Sequence, residues 1–98
     1  MRYSTAAEAE IQDAVDWYAT RRDDGALADR FLDELARTES SISERPHAWP
    51  EIEPGVRWVV MSRFPYAMIY RVASNEVQVL AVSHHSRRHG YWRDRESG

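Results

Sequence analysis

Apolar residues follow helical spacing along the first half of the chain and alternate with polar ones along the second. From Arg63 to Val72, and again from Glu76 to His84, β-branched and aromatic residues form two runs joined by Ala73-Ser74-Asn75-Glu76. Two such runs around a short polar break predict a β-hairpin, and Asn75 tolerates the positive φ of a tight turn. A two-residue loop at Ser74-Asn75 fixes the register. It sets Val72 opposite Val77, Tyr70 opposite Val79 and Met68 opposite Ala81 on one face. The other face receives Arg71 beside Gln78, Ile69 beside Leu80 and Ala67 beside Val82. The Met68/Tyr70/Val79 face is expected to be core, with the Arg71/Gln78 face more open.

Upstream the period changes. Thr5 followed by Glu8 has capping-box spacing, and Ala7, Ile11, Ala14, Val15 and Tyr18 form one stripe of a helix running to about Arg22. Arg21 to Gly25 is a polar break short enough for a helical hairpin. The second helix, from about Ala26 to Ser43, carries Leu27, Ala28, Phe31, Leu32, Leu35, Ala36 and Ile42 on its stripe. Pro46, Pro50 and Pro54 then argue against regular structure up to Gly55, and Trp49 is expected to plug the core edge. Val56 to Ser62 reads as a strand in which Trp58 and Val60 alternate with Arg57, Val59 and Met61. With a short first strand at Met1–Ser4, the order is β-α-α-β-β-β. That is an α+β fold, a helical hairpin packed on one face of a small, mainly antiparallel sheet, with residues 1–98 as a single domain.

Composition narrows the class. The chain is 43% hydrophobic and has no cysteine, so disulfides and thiolate metal sites are excluded. No apolar run resembles a signal peptide or membrane span, so a soluble, cytoplasmic protein without a membrane partner is expected. The net charge of −3 conceals a division. Residues 1–56 carry 6 Arg and 13 Asp/Glu, whereas residues 57–98 carry 7 Arg and 3 Asp/Glu. Every basic residue other than histidine is arginine, whose planar fork suits carboxylate or phosphate contacts. His84, His85 and His89 do not make a metal site, because adjacent strand residues point apart and no carboxylate nearby completes a set. No cofactor is implied. Trp92 is expected to close the core, and Tyr91 to lie at the surface.

Taken together, these pieces resemble the RelE/ParE superfamily of toxins from type II toxin–antitoxin pairs, also described as plasmid stabilisation proteins. The resemblance runs from Ala9-Glu10 and Trp17-Tyr18 through Phe31-Leu32, Ile42, Pro46 and Arg57. It continues through Arg63-Phe64-Pro65-Tyr66, Tyr70, Leu80-Ala81-Val82 and His84 to Arg87, and into Tyr91-Trp92. It implies a growth-inhibiting toxin held inactive by a cognate antitoxin protein. RelE-like members cut messenger RNA on the ribosome, ParE-like members bind and inhibit DNA gyrase, and some have other targets or little toxicity.

Where RelE-like members resemble one another in carrying lysines on the second strand and an arginine on the third, this chain has Trp58, Val60 and Ala67. One arginine position after the fourth strand falls near His85, while Arg87 and Tyr91 match. Most of the cations that such a nuclease uses on phosphate are therefore missing. A sequence pI of about 5.8 also suits a protein ligand better than a guest among ribosomal phosphates. The ParE-like reading is preferred, with the nuclease as the alternative. A nuclease would draw on Arg63, His85, Arg87 and Tyr91. A target-binding surface would comprise Arg57, Arg63, Arg71, His84, Arg87, Arg88, Tyr91 and Arg93. The antitoxin is expected on an incompletely covered apolar sheet face of Val59, Ile69, Leu80 and Val82.

Overall fold

The computed structural model describes residues 1–21 and 25–95. A strand β1 (Arg2–Tyr3) leads into helices α1 (Thr5–Ala19) and α2 (Ala26–Glu44), followed by strands β2 (Glu51–Glu53), β3 (Val56–Val60), β4 (Tyr66–Ala73) and β5 (Glu76–His84). The strands form one sheet in the order β1-β5-β4-β3-β2, antiparallel except where β1 lies parallel to β5. The helical hairpin covers one face of this sheet. The expected α+β architecture is present, with one strand more than the sequence announced. β2 forms between Pro50 and Pro54, where three prolines had argued against regular structure; it sits at the sheet edge, the position that tolerates proline.

The first helix begins one residue earlier than its capping-box reading. Ser4, not Thr5, is the cap, and its hydroxyl oxygen accepts from the Ala7 N–H at 3.0 Å. Ser4 also donates to the Leu80 carbonyl at 3.0 Å, so the buried cap fastens the helix start to β5. The helix ends at Ala19, with Thr20 as its C-cap, short of the expected run to Arg22; Arg22, Asp23 and Asp24 of the polar break lie outside the described residues. On α2, Ala28, Phe31, Leu35 and Ile42 are buried as the stripe predicts, but Leu32 is 41% exposed and Thr38 takes a buried place instead. Phe31, Tyr18, Phe64 and Tyr66 make an aromatic cluster with ring centroids 5.2 Å apart for Tyr18–Phe64 and 5.4 Å for both Phe31–Phe64 and Phe31–Tyr66. Arg-Phe-Pro-Tyr therefore works partly as a plug between the hairpin and the helices.

The β4–β5 turn has the expected two-residue loop, with Ser74 and Asn75 both at positive φ. Val72 pairs with Val77, Arg71 with Gln78 and Tyr70 with Val79, as the turn dictates. Beyond Tyr70 the register departs from simple alternation. Ile69 pairs with Ala81 rather than Leu80, Met68 with Val82 rather than Ala81, and Ala67 with Ser83 rather than Val82. Leu80 is an extra residue, a β-bulge. It keeps Val79 and Val82 on the helix side while Leu80 and Ala81 both join the cluster on the outer face.

Candidate functional site

The bulge frees backbone groups, and side chains from distant elements satisfy them. Val82 donates its N–H to Glu10 Oε1 at 2.9 Å, and the Leu80 carbonyl accepts from Arg95 at 3.3 Å besides Ser4. Glu10 sits on the buried flank of α1, three residues after Ala7 and four before Ala14. Its side chain is only 14% exposed. A carboxylate so placed requires partners, and the segment after β5 brings them. Tyr91 donates its hydroxyl to Glu10 Oε2 at 2.6 Å; Arg95 donates to both oxygens at 2.9 and 3.1 Å; and Arg87 stands 3.9 Å away. The Arg87 and Arg95 guanidinium groups lie over the Tyr91 ring, 3.9 and 4.8 Å from its centroid. Burial, reinforced by the hydrogen bond to Glu10, pushes the Tyr91 phenol above its ordinary pKa.

Residues 90–95 thus form an arm strapped across the outer sheet face. Gly90 turns it at φ 84, where a Cβ would come within 2.5 Å of the Arg93 side chain. Trp92, 3% exposed, packs with Ile69, Leu80 and Ala81, closing a core as expected, though it is a second core on the far side of the sheet. Arg93 binds Glu53 of β2, which holds that carboxyl below its usual range. Tyr91, expected at the surface, is half-buried with its hydroxyl turned inward.

The candidate antitoxin face is not one face. Val59 and Val82 point into the helix-side core, Ile69 and Leu80 lie under Trp92, and all four are buried. On β3 it is the alternate set, Trp58 at 38% and Val60 at 50%, that reaches solvent. The candidate target-binding residues are likewise dispersed. Arg57 donates to the Trp49 carbonyl at 2.6 Å and to Glu51 at 3.0 Å, while Arg71 donates to Gln78 at 3.0 Å. His84 is engaged at Nδ1 by the Ser86 hydroxyl at 2.8 Å and the Ser86 N–H at 3.0 Å. Arg63 occupies a left-handed turn (φ 69) and lines a hollow beside Arg30, Asp33 and Arg37 of α2.

His85, Arg87, Arg88 and His89 do gather, on the rim of a concavity of about 340 Å³ on the outer sheet face. Its floor is Trp58, Val60, Ala67 and Ile69. A second hollow of about 530 Å³ lies between α1 and the hairpin, lined by Asp13, Trp17, Tyr66, His84 and Arg87. Arg87, half exposed, borders both. The four residues of the nuclease alternative do not converge, since Arg63 belongs to the α2 hollow and the Tyr91 hydroxyl to Glu10. Glu10 and Arg95 were not among the candidates. The available signal was a carboxylate at helical spacing inside an apolar stripe.

A family model described as the ParE toxin of the type II toxin–antitoxin system, parDE, matches residues 1–89. The chain belongs to this ParE toxin family. Among solved structures, one described as the chromosomal ParDE TA system from P. aeruginosa superposes with a TM-score of 0.71 at 20% identity. The match covers 84% of this chain and 90% of that one, a likeness of fold. No curated protein matches at a significant level. The ParE match ends just before the arm, so Tyr91, Trp92 and Arg95 lie beyond the matched residues. No described helix is long and apolar enough to cross a membrane.

Proposed function

We propose that this ParE-family toxin acts in the cytoplasm as a protein ligand that binds and inhibits DNA gyrase, and that a small cognate antitoxin neutralises it. The observation that supports a binder over a ribonuclease is the floor of the outer concavity. Trp58, Val60, Ala67 and Ile69 offer no cation and no acid or base, and these groups stand only around them, at His84, His85, Arg87, Arg88 and His89. Acid–base catalysis needs a titratable group within about 2.6–3.2 Å of the proton it moves. The phenol that the nuclease alternative relies on, Tyr91, is hydrogen-bonded through its hydroxyl to Glu10. What remains exposed is a rim of arginine and histidine around apolar ground, a composition suited to a protein interface.

Growth arrest on expression without antitoxin separates the two readings. Arg87 is half exposed and its nearest carboxylate oxygen is 3.9 Å away, so Arg87→Glu is expected to abolish toxicity by reversing charge at the contact. Tyr91→Phe keeps the ring and should retain most toxicity at matched protein level, with folding confirmed by circular dichroism. A folded Tyr91→Phe variant that no longer arrests growth restores the ribonuclease, because loss of a general acid or base typically costs about 10²–10⁴-fold.

A further inference from the structure

We propose that the hollow between α2 and the β3–β4 turn binds a small organic phosphate, a phosphate monoester with an apolar body, through Arg30, Arg37 and Arg63. The hollow lies on the helix side of the sheet, apart from the outer concavity, and the proposal is independent of the gyrase reading. Its first sign is the backbone of Arg63. A φ of 69 is left-handed, a region that a residue with a Cβ enters at a cost and glycine enters freely. The next residue pins the turn. Phe64 is buried, with its ring 5.4 Å from Phe31 and 5.2 Å from Tyr18. Arg63 itself is exposed, and among the described residues its side chain has no ion pair or hydrogen bond to offset that cost. Strain of this kind persists where a side chain must be presented in one direction.

Arg30 and Arg37 stand two turns apart on one face of α2 and line the same hollow. Arg37 pairs with Glu34, whose side chain is only 13% exposed. Arg30, like Arg63, has no partner among the described residues. Asp33 completes the charged lining. Three cations thus meet two carboxylates, one of which is already matched, and the Arg30 and Arg63 guanidinium groups are left for an anion.

The donors select its class. A guanidinium presents a planar fork, and forks from opposite walls engage different edges of an anion at once. A carboxylate is flat and offers two oxygens. A phosphate monoester offers three in a tetrahedral array, with up to two negative charges. At about 370 Å³ the hollow has room for more than the phosphate, within the range of small-molecule sites. Leu27 and Phe64 supply apolar ground for the body of the ligand. A nucleic-acid backbone fits less well, because it needs a track of cations. Arg87 and Arg88 line the concavity on the other side of the sheet and do not extend this site into one.

Calorimetric titration and NMR of the arginine Nε–H groups, on the full chain, test the site. The probes are phenyl phosphate, inorganic phosphate, phenol and a short DNA duplex. Phenyl phosphate should shift the Arg30 and Arg63 resonances and bind more tightly than inorganic phosphate, while phenol should not bind. Arg63→Gly places at φ 69 the residue that suits it, so the thermal midpoint should hold while affinity falls about 10–100-fold, as for a lost charge-assisted hydrogen bond. Asp33→Asn removes a charge of the ligand's own sign and should tighten binding. Arg2→Gln, on the strand at the opposite edge of the sheet, should leave it unchanged. No shift at Arg30 or Arg63 with phenyl phosphate overturns the proposal, as does affinity that survives Arg63→Gly or falls equally in Arg2→Gln. Inorganic phosphate binding as tightly as phenyl phosphate overturns the organic ligand. A duplex that shifts these arginines when phenyl phosphate does not overturns the proposal in favour of a nucleic acid.

Discussion

At the scale of single residues, Glu10 carries more of the structure than any arginine it meets. It joins α1, the β5 bulge and the C-terminal arm through contacts to Val82, Tyr91 and Arg95. Removing one partner of a shielded charge cluster leaves the others uncompensated, so Glu10→Ala should destabilise by about 3 kcal/mol in urea unfolding. Tyr91→Phe, which deletes one hydrogen bond to the carboxylate, should cost about 1.5–3 kcal/mol. Equal and negligible effects would mean that the arm is not held through Glu10. The arm's second tie responds to acid. The hydrogen bond from Arg93, aided by nearby His89, lowers the Glu53 pKa below its ordinary 4.5. A carboxyl depressed by folding stabilises above its unfolded value and loses that contribution as pH falls through its folded one. The Trp92 indole resonance should therefore hold steady above about pH 4.5 and shift progressively below it as the arm loosens. A transition centred well above that range would mean that the arm is not held through Glu53.

At the scale of elements, the turn was legible and the bulge was not. Ser74-Asn75 fixes the pairs nearest to it, so Val72–Val77 through Tyr70–Val79 follow from sequence. Leu80-Ala81-Val82 is apolar throughout, and an extra residue inside such a run leaves no break in the alternation to betray it. The same ambiguity hid which side of β3 faces the helices, because Trp58, Val59, Val60 and Met61 are all apolar. β2 was obscured by its prolines, whose cost disappears at an edge. The core pairing itself makes a clear prediction. Tyr70 is fully buried and its hydroxyl donates to the Pro46 carbonyl at 2.6 Å, so Tyr70→Ala should destabilise by about 3–5 kcal/mol. Gln78, half-buried beside Arg71, should cost about 1 kcal/mol or less as alanine. Chemical denaturation giving the reverse order would mean that the two faces are misassigned.

At the scale of the whole molecule, folding spends much of the charge division seen along the chain. Arg57 meets Glu51, Arg93 meets Glu53 and Arg95 meets Glu10, each an arginine of the second half neutralised by a carboxylate of the first. The basic end is therefore narrower than the sequence suggests, reduced to the rim around Arg87, Arg88 and the histidines. Sequence shows the arginines of the second half but not which of them folding ties down, since their partners lie about forty or more residues away in two of the three pairs. On the function proposed above, this arginine rim around an apolar floor is where the target docks. The most direct measurement adds the purified chain to DNA gyrase and supercoiled plasmid, with ribosomes carrying a defined message assayed in parallel. The account predicts loss of supercoiling activity with gyrase-dependent DNA breaks and an intact message. Unaffected gyrase together with a cut message would contradict it.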